Sequence, residues 1–181
     1  MGVFARAFRR AGLPVRMSEG FNPRPRFSLP APLAVGVEGL DEVLELDLAE
    51  SAPPQELVAR LAKELPEGVE LTRAEQLEPG VKARVESVRY RVHGDLPLGA
   101  VERCAAREEL RVSRRDGREL DVRPYLQRVG TCAGGCEFET RVTGQGTARP
   151  AEIVAALCDG DAELPRHLSL VRTAVNLHGP Q

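Results

Sequence analysis

The order of predicted elements indicates an α+β protein of two tandem halves with mainly antiparallel sheets. Residues 3–11, 53–65, 98–108 and 150–158 are predicted helices, and strand-like segments lie between them. Glu78-Pro79-Gly80 is the best boundary, because proline and glycine interrupt both helices and strands. Each half therefore contains a helix, two strands, a second helix and a strand. We expect two ferredoxin-like, split βαβ halves over residues 1–78 and 81–181.

The first half begins with a helix that Gly12 ends and Pro14 prevents from continuing. One face of this helix is apolar and comprises Val3, Phe4, Ala7, Phe8 and Ala11. The next helix begins at Pro53-Pro54, since proline is favoured in the first turn. The predicted extended segments of this half are residues 33–37, 43–48 and 69–77.

The second half is predicted to contain strands at residues 87–92, 137–143 and 167–177. Residues 110–122 are expected to form a hairpin that turns at Asp116-Gly117, a pair favoured in tight hairpin turns. Residues 123–129 are predicted to form a helical turn.

Composition and missing motifs limit the function classes. Of the 181 residues, 42% are hydrophobic, which suffices for a packed core. No apolar run approaches the length of a membrane span, and the arginine-rich N-terminus lacks an apolar signal region. We therefore expect a cytoplasmic protein with no membrane partner. The sequence has no P-loop, no G-x-G-x-x-G and no H-x-x-x-H, and Ser18 lacks a glycine elbow, so no catalytic residue or cofactor is assigned.

The four cysteines do not form a recognisable metal motif. A radical SAM cluster requires C-x-x-x-C-x-x-C, but after Cys132 and Cys136 the third position is Glu139. A zinc site would need two further ligands, and no candidate has zinc-finger spacing; the candidates are Cys104, Cys158, His93, His167 and His178. The segment T-C-A-G-G-C is therefore interpreted as a glycine-rich hairpin turn, and no metal site is predicted.

The proline-rich segment from Ser18 to Pro32 is the strongest candidate for a binding site. Four prolines between Pro23 and Pro32 exclude a helix and favour a stiff extended loop. A stiff polar loop loses less conformational entropy when it binds a ligand. Asn22 is expected to hydrogen-bond the backbone of the loop. The predicted ligand-binding residues here are Arg9, Arg10, Ser18, Phe21, Asn22, Arg24 and Arg26. The alternative is a proline-rich crossover whose arginines merely face water.

Four residues outside the loop are further ligand-binding candidates. Asp121 and Arg123 lie two apart at a strand end, where they either bind a ligand or form an ion pair that fixes the corner. Arg149 begins a helix and either recognises an anion or only precedes the helix start. Arg172 in the last strand is the fourth candidate.

Charge is distributed unevenly along the chain. Residues 1–35 hold six arginines and one acidic residue, whereas residues 36–80 hold twelve acidic and three basic residues. Such segregation produces either two opposed surfaces or segments that neutralise each other. An anionic or phosphorylated ligand would suit the basic segment.

The segment F-A-R-A-F-R-R-A-G-L-P-V-R-M-S-E-G-F-N-P-R-P-R-F-S resembles the radical SAM-linked protein family, also called domain of unknown function 2344. Matching motifs continue through A-P-L-A-V-G-V-E, E-V-L-E-L-D-L, R-E-L-D-V-R-P-Y-L, A-R-P-A-E-I-V-A-A-L and V-R-T, so the resemblance covers Phe4 to Thr173. It implies a protein fused to, or encoded beside, radical SAM proteins, and it implies no active site. Relatives usually begin with a strand before this helix, so either the true start lies upstream or this member lacks an edge strand. If the strand is lacking, we expect an unpaired edge in the first sheet.

These observations favour a non-catalytic accessory or substrate-presenting module for a radical SAM protein. It would bind a macromolecular or phosphorylated ligand through the basic loop. The alternative is a stand-alone RNA-binding protein. RNA-binding sheets of this fold class usually display aromatic residues, and this sequence has only two tyrosines and five phenylalanines. A hydrolase is a weaker alternative.

Overall fold

The computed structural model describes residues 2–97, 99–114, 116–144, 148–159, 165 and 167–178. The helices within these ranges are α1 Gly2–Arg10, α2 Pro54–Leu61, α3 Ala100–Ala106 and α4 Pro150–Leu157. The strands are β1 Phe27–Ser28, β2 Glu38–Gly39, β3 Glu45–Leu46, β4 Val85–His93, β5 Arg111–Ser113, β6 Glu119–Asp121, β7 Leu126–Cys132, β8 Gly135–Arg141 and β9 Ser169–Leu177. The pairings are mostly antiparallel, which confirms the α+β class. None of the described helices is both long and apolar enough to cross a bilayer.

The chain forms two compact units. Unit 1 comprises Met1–Pro30 and Leu44–Ala83, and unit 2 comprises Ala31–Val43 and Arg84–Gln181. The change of unit after Ala83 lies close to the predicted boundary at residues 78–80. Residues 31–43, which the sequence pattern assigned to the first half, group with unit 2, where β2 pairs in parallel with β9.

Unit 2 is built on a five-stranded sheet with the order β2-β9-β4-β8-β7. Along the chain the order β4-α3-β7-β8-α4-β9 is that of a split βαβ unit, with a β5-β6 hairpin inserted after α3. One face of β4 carries Val88, Tyr90 and Val92, which belong to the hydrophobic core. The Tyr90 ring stacks on Phe138 with centroids 5.3 Å apart.

The alternate residues of β4 form cross-strand ion pairs with β8. Arg89 lies opposite Glu139, and Arg91 opposite Glu137. The Arg89 Nη2 to Glu139 Oε2 distance is 3.4 Å, and Arg91 Nε donates to Glu137 Oε1 at 2.8 Å. Because strand side chains alternate between faces, these pairs give the sheet a charged surface opposite its apolar one.

The segment T-C-A-G-G-C forms the predicted hairpin turn, between β7 and β8. Gly134 has a φ of +77°, which favours glycine. A Cβ atom at Gly135 would collide with the backbone carbonyl of Val92, so the second glycine allows two strands to approach closely.

Unit 1 is smaller and contains little sheet. Its two strands, β1 and β3, pair antiparallel over two residues each. Its core is a cluster of Ala7, Phe8, Leu13 and Leu61, and the Phe8 ring lies edge-on to Phe27 at 5.3 Å. Because unit 1 has only these two-residue strands among its described residues, two tandem ferredoxin-like halves are not confirmed.

The predicted strand at residues 69–77 is wrong. Among the described residues this segment has no strand partner, and Val69 and Leu77 are exposed. The apolar residues of this segment did not suffice to make it a strand, because a strand needs a neighbouring strand to satisfy its backbone N–H and C=O groups. The described part of unit 1 offers only two short strands, which pair with each other.

Candidate functional site

Residues Ser18 to Arg24 form a closed loop in unit 1, called here the Ser18–Arg24 loop. The Ser18 N–H donates to the Arg24 carbonyl oxygen at 2.8 Å, and the Arg24 N–H donates to Ser18 Oγ at 3.0 Å. Met17 and Pro25, which flank the loop in sequence, pair as an isolated antiparallel β-bridge. Ser18 therefore closes the loop. The expectation that Asn22 hydrogen-bonds the backbone of the loop is wrong, because Asn22 makes no hydrogen bond with any described residue.

Three chain segments hold the root of the loop through a cycle of backbone hydrogen bonds. Arg16 N–H donates to the Asp47 carbonyl at 2.8 Å, Asp47 N–H to the Arg26 carbonyl at 3.0 Å, and Arg26 N–H to the Arg16 carbonyl at 2.8 Å. The Asp47 carboxylate lies 3.3 Å from Arg26 Nε and 3.2 Å from Lys82 Nζ. The loop therefore projects from a fixed base.

The tip of the loop presents an aromatic ring to solvent. Phe21 has a relative exposure of 105%, as much as an isolated residue would have. Gly20, with a φ of +115°, gives the preceding bend a conformation that other residues rarely adopt. The loop itself therefore provides no packing partner for the Phe21 ring.

The arginines of unit 1 differ in whether their side chains already have ion-pair partners. Arg10 is held by Glu64, with Nε to Oε2 at 2.8 Å and Nη2 to the backbone carbonyl at 2.6 Å. Arg26 is half exposed and lies beside Asp47. The side chains of Arg9, Arg16 and Arg24 are exposed and make no ion pair with any residue that the structure describes. These three arginines therefore remain available to an external ligand.

The side chains of Asp121 and Arg123, in unit 2, hydrogen-bond to the backbone where the chain turns after β6. Asp121 Oδ1 accepts from the backbone N–H groups of Leu110 at 2.8 Å and Arg123 at 3.0 Å. The Arg123 guanidinium donates to the carbonyls of Arg107 and Leu126, both at 3.0 Å. The Asp121 carboxylate therefore binds backbone donors.

Arg149 precedes α4 and takes part in its N-terminal hydrogen bonding. The Arg149 N–H donates to Glu152 Oε2 at 2.9 Å, and Glu152 also binds Arg114 Nε at 2.8 Å. The Arg149 side chain itself is exposed. Its predicted anion recognition stays a prediction.

Arg172 is buried in unit 2, with a side-chain exposure of 3%. Its Nε donates to Glu42 Oε1 at 2.7 Å and its Nη2 to the Ala31 carbonyl at 2.6 Å. Burial alone would lower the pKa of Arg172, but hydrogen bonds with Glu42 and Tyr90 raise it above its usual value. The guanidinium is therefore engaged inside the unit. Its predicted contact with a ligand stays a prediction.

The cysteines are all free thiols. Burial raises the pKa of the Cys136 thiol to about 12, so at neutral pH it is protonated and a poor nucleophile. Across the described ranges, no group of three or more His, Cys, Asp or Glu residues could hold a metal ion.

Sequence reasoning missed a cleft of about 540 Å³ in unit 2. It is called here the cationic cleft, and its polar lining residues are Arg89, Arg123, Gln127, Arg128, Glu139 and Arg141. Of these, only Arg123 was a candidate. Gln127 and Arg128 escaped notice because residues 123–129 were predicted to form a helical turn, whereas Leu126–Cys132 forms strand β7. With β7 beside β8, side chains far apart in sequence line one surface.

The family model described as "Uncharacterized protein conserved in bacteria (DUF2344)" matches residues 1–150. A search of curated proteins gives no match. The family description does not mention radical SAM proteins, so that association is a proposal. The matched range includes all of unit 1 and the cationic cleft. Because the match covers most of the chain, the protein belongs to this bacterial family.

Proposed function

We propose that this chain is a non-catalytic accessory module that presents the Ser18–Arg24 loop to a radical SAM protein. The observation that carries the proposal is a fully exposed Phe21 at the tip of a loop closed by two hydrogen bonds. The choice of partner rests on the sequence resemblance, and the choice of surface rests on this geometry.

An exposed aromatic ring on a fixed loop suits a protein interface. Aromatic residues and arginine are enriched among the residues that dominate binding energy. Burying a phenylalanine side chain contributes about 1.5–3 kcal/mol. The closure by Ser18 and the backbone cycle at the root reduce the entropy lost when a partner orders the loop.

The charges around the loop indicate an acidic surface on the partner. Arg16 and Arg24 are exposed and have no described ionic partner. Opposite charges at the rim of an interface mainly accelerate association and select the partner. The partner surface that fits is therefore an apolar pocket bordered by carboxylates.

Two rival functions are weaker. An RNA-binding protein would stack bases on aromatics, and the loop offers only Phe21. A hydrolase would need a base beside Ser18, but no described histidine hydrogen-bonds Ser18, whose Oγ accepts the Arg24 N–H. Both rivals remain outcomes of the test.

The test is co-purification with the radical SAM protein encoded nearest in the same bacterium. Phe21→Ala combined with Arg24→Gln is expected to weaken capture about 30-fold or more, because an aromatic anchor contributes about 2 kcal/mol or more. Val35→Ala removes another fully exposed apolar side chain, and Lys63→Gln removes another exposed charge. Both controls should bind as the wild type does.

A parallel measurement follows retention of labelled cellular RNA at rising salt. Phosphate contacts would make retention fall steeply, by about 10³–10⁵ in affinity between 50 and 200 mM salt for an extensive interface. RNA retention that depends on Phe21 and Arg24, without capture of the radical SAM protein, would replace the proposal by the RNA-binding alternative. Equal capture by the double variant and the wild type would refute the role of the loop.

A further inference from the structure

The cationic cleft in unit 2 is lined by more positive than negative side chains. Four arginines and one carboxylate surround a space of about 540 Å³. This volume is within the usual range for small-molecule sites. The arginines come from β4, β7, β8 and the turn before β7, so the topology of the sheet brings them together.

Two of these arginines are positioned to act on a ligand. Arg128 on β7 is exposed and makes no ion pair with any described side chain. Arg89 on β4 touches Glu139 only at 3.4 Å, and 45% of its side chain is exposed. Arg123 contributes a third charge from a fixed position, because two backbone carbonyls hold its guanidinium.

The single carboxylate of the cleft already has hydrogen-bond and ion-pair partners within unit 2. Glu139 accepts hydrogen bonds from Ser87 Oγ and, at 3.0 Å, from Asn176 Nδ2. The hydrogen bond from Ser87, together with Arg89 and Asn176, lowers the pKa of Glu139 below its usual value. Glu139 therefore orients Arg89 and opposes an incoming anion less than an unpaired carboxylate would.

The side chains of the cleft also restrict the chemistry of its ligand. Pro124 and Leu126 are its only apolar lining residues among those described, and no aromatic ring lines it. A nucleobase would find no stacking partner there. Planar guanidinium groups bind phosphate through paired hydrogen bonds, and several of them together suit several phosphates.

We propose that the cationic cleft binds a small molecule with closely spaced phosphate groups, through Arg89, Arg123 and Arg128. Inorganic oligophosphate and the phosphate chain of a nucleotide share this chemistry. The residues of the cleft belong to unit 2, whereas the Ser18–Arg24 loop belongs to unit 1. The two proposals can therefore fail independently.

The experiment is calorimetric titration of the full chain with tripolyphosphate, ATP and adenosine at low ionic strength. Wild-type protein should bind tripolyphosphate but not adenosine. ATP binding equal to that of tripolyphosphate identifies the phosphate chain as the recognised part. Arg128→Gln is expected to weaken tripolyphosphate binding about tenfold or more, because a charge-assisted contact is lost. Arg128→Lys should bind less tightly than wild type and more tightly than Arg128→Gln, because it keeps the charge without the planar fork.

The control is Arg118→Gln, which removes another exposed arginine of unit 2, from the β5-β6 hairpin and outside the cleft lining. It should change the affinity by less than about twofold, because Arg118 does not line the cleft. The Phe21→Ala and Arg24→Gln double variant should also bind tripolyphosphate normally. Absence of binding by the wild type at millimolar ligand would overturn the proposal. An equal loss in Arg118→Gln, a loss in the loop variant, or binding of RNA without tripolyphosphate would do so as well.

Discussion

Replacing Glu42 with alanine is expected to lower the free energy of unfolding of unit 2 by about 3 kcal/mol. The change would leave the Arg172 guanidinium, whose side chain is only 3% exposed, without its carboxylate partner. Breaking a buried pair on one side is costly because the remaining charge keeps its desolvation penalty. The loss of such a partner usually costs about 3–5 kcal/mol. We expect the lower end of this range because the Glu42 side chain is 32% exposed, so water can partly replace its carboxylate beside Arg172.

Replacing Arg172 should lower the free energy of unfolding less than replacing Glu42 does. Arg172→Leu leaves Glu42 partly hydrated and removes one donor from the Ala31 carbonyl, which should cost about 1–2 kcal/mol. The double variant Glu42→Ala with Arg172→Leu should be close in stability to Arg172→Leu, because it leaves no unpaired buried charge. Additive losses in the double variant would contradict the existence of a coupled pair.

Urea unfolding followed by tyrosine fluorescence measures this effect in unit 2. The chain has no tryptophan, and its two tyrosines, Tyr90 and Tyr125, both lie in unit 2. Glu109→Ala is the matched control, because it breaks an exposed ion pair with Arg111 in the same unit. Exposed pairs contribute little, so this control should unfold as the wild type does.

Replacing Phe8 with alanine is expected to destabilise unit 1 by about 3–5 kcal/mol. Phe8 is 1% exposed. The centroid of its ring lies 5.3 Å from that of Phe27 and 6.3 Å from that of Phe4. The core cluster of unit 1 has few buried members, so its neighbours can fill the cavity only partly. Phe27 follows Arg26, whose backbone holds the root of the Ser18–Arg24 loop. The same change should therefore weaken partner binding without touching the partner.

Hydrogen exchange followed by mass spectrometry measures this loss, because unit 1 contains no tyrosine. Peptides spanning residues 13–28 should exchange faster in Phe8→Ala than in the wild type. Phe21→Ala removes an aromatic ring from the same unit, but from a fully exposed position, and should leave exchange at the loop root unchanged. Unaltered exchange in Phe8→Ala would show that Phe8 does not support the loop.

Local patterns predicted much of the fold. The helix at residues 3–11 corresponds to α1 because its apolar face packs on Leu13 and Leu61 and Gly12 ends it. The Asp116-Gly117 turn, strand β4 and the glycine-rich hairpin were likewise predicted from turn chemistry and alternation. These features depend on neighbours in sequence, so they are visible without tertiary information.

Features set by distant partners were not predicted. Strand β7 contains Gln127, Arg128 and Gly130, which do not alternate in polarity, and its strand geometry comes from pairing with β8. Residues 31–43 joined unit 2 because β2 pairs with β9, more than a hundred residues away. The buried environment of Arg172 has the same origin, since Glu42 is 130 residues away along the chain.

The candidate site was only partly visible in the sequence. The prolines and Gly20 predicted a loop with exposed arginines, and Arg24 is exposed in the structure. Its closure by Ser18 was not predicted, because that bond joins residues six apart whose distance depends on the chain path. The cationic cleft was missed because it requires three strands side by side.

The central claim is that the tip of the Ser18–Arg24 loop contacts a radical SAM protein. The most direct measurement is photo-crosslinking in the native bacterium, with a photoreactive phenylalanine analogue at position 21. The analogue at position 35 provides the comparison, because Phe21 and Val35 have the same relative exposure of 105%. We expect a cross-link to the radical SAM protein from position 21 and none from position 35. Cross-links from position 35 alone, or from position 21 only to RNA, would contradict the claim.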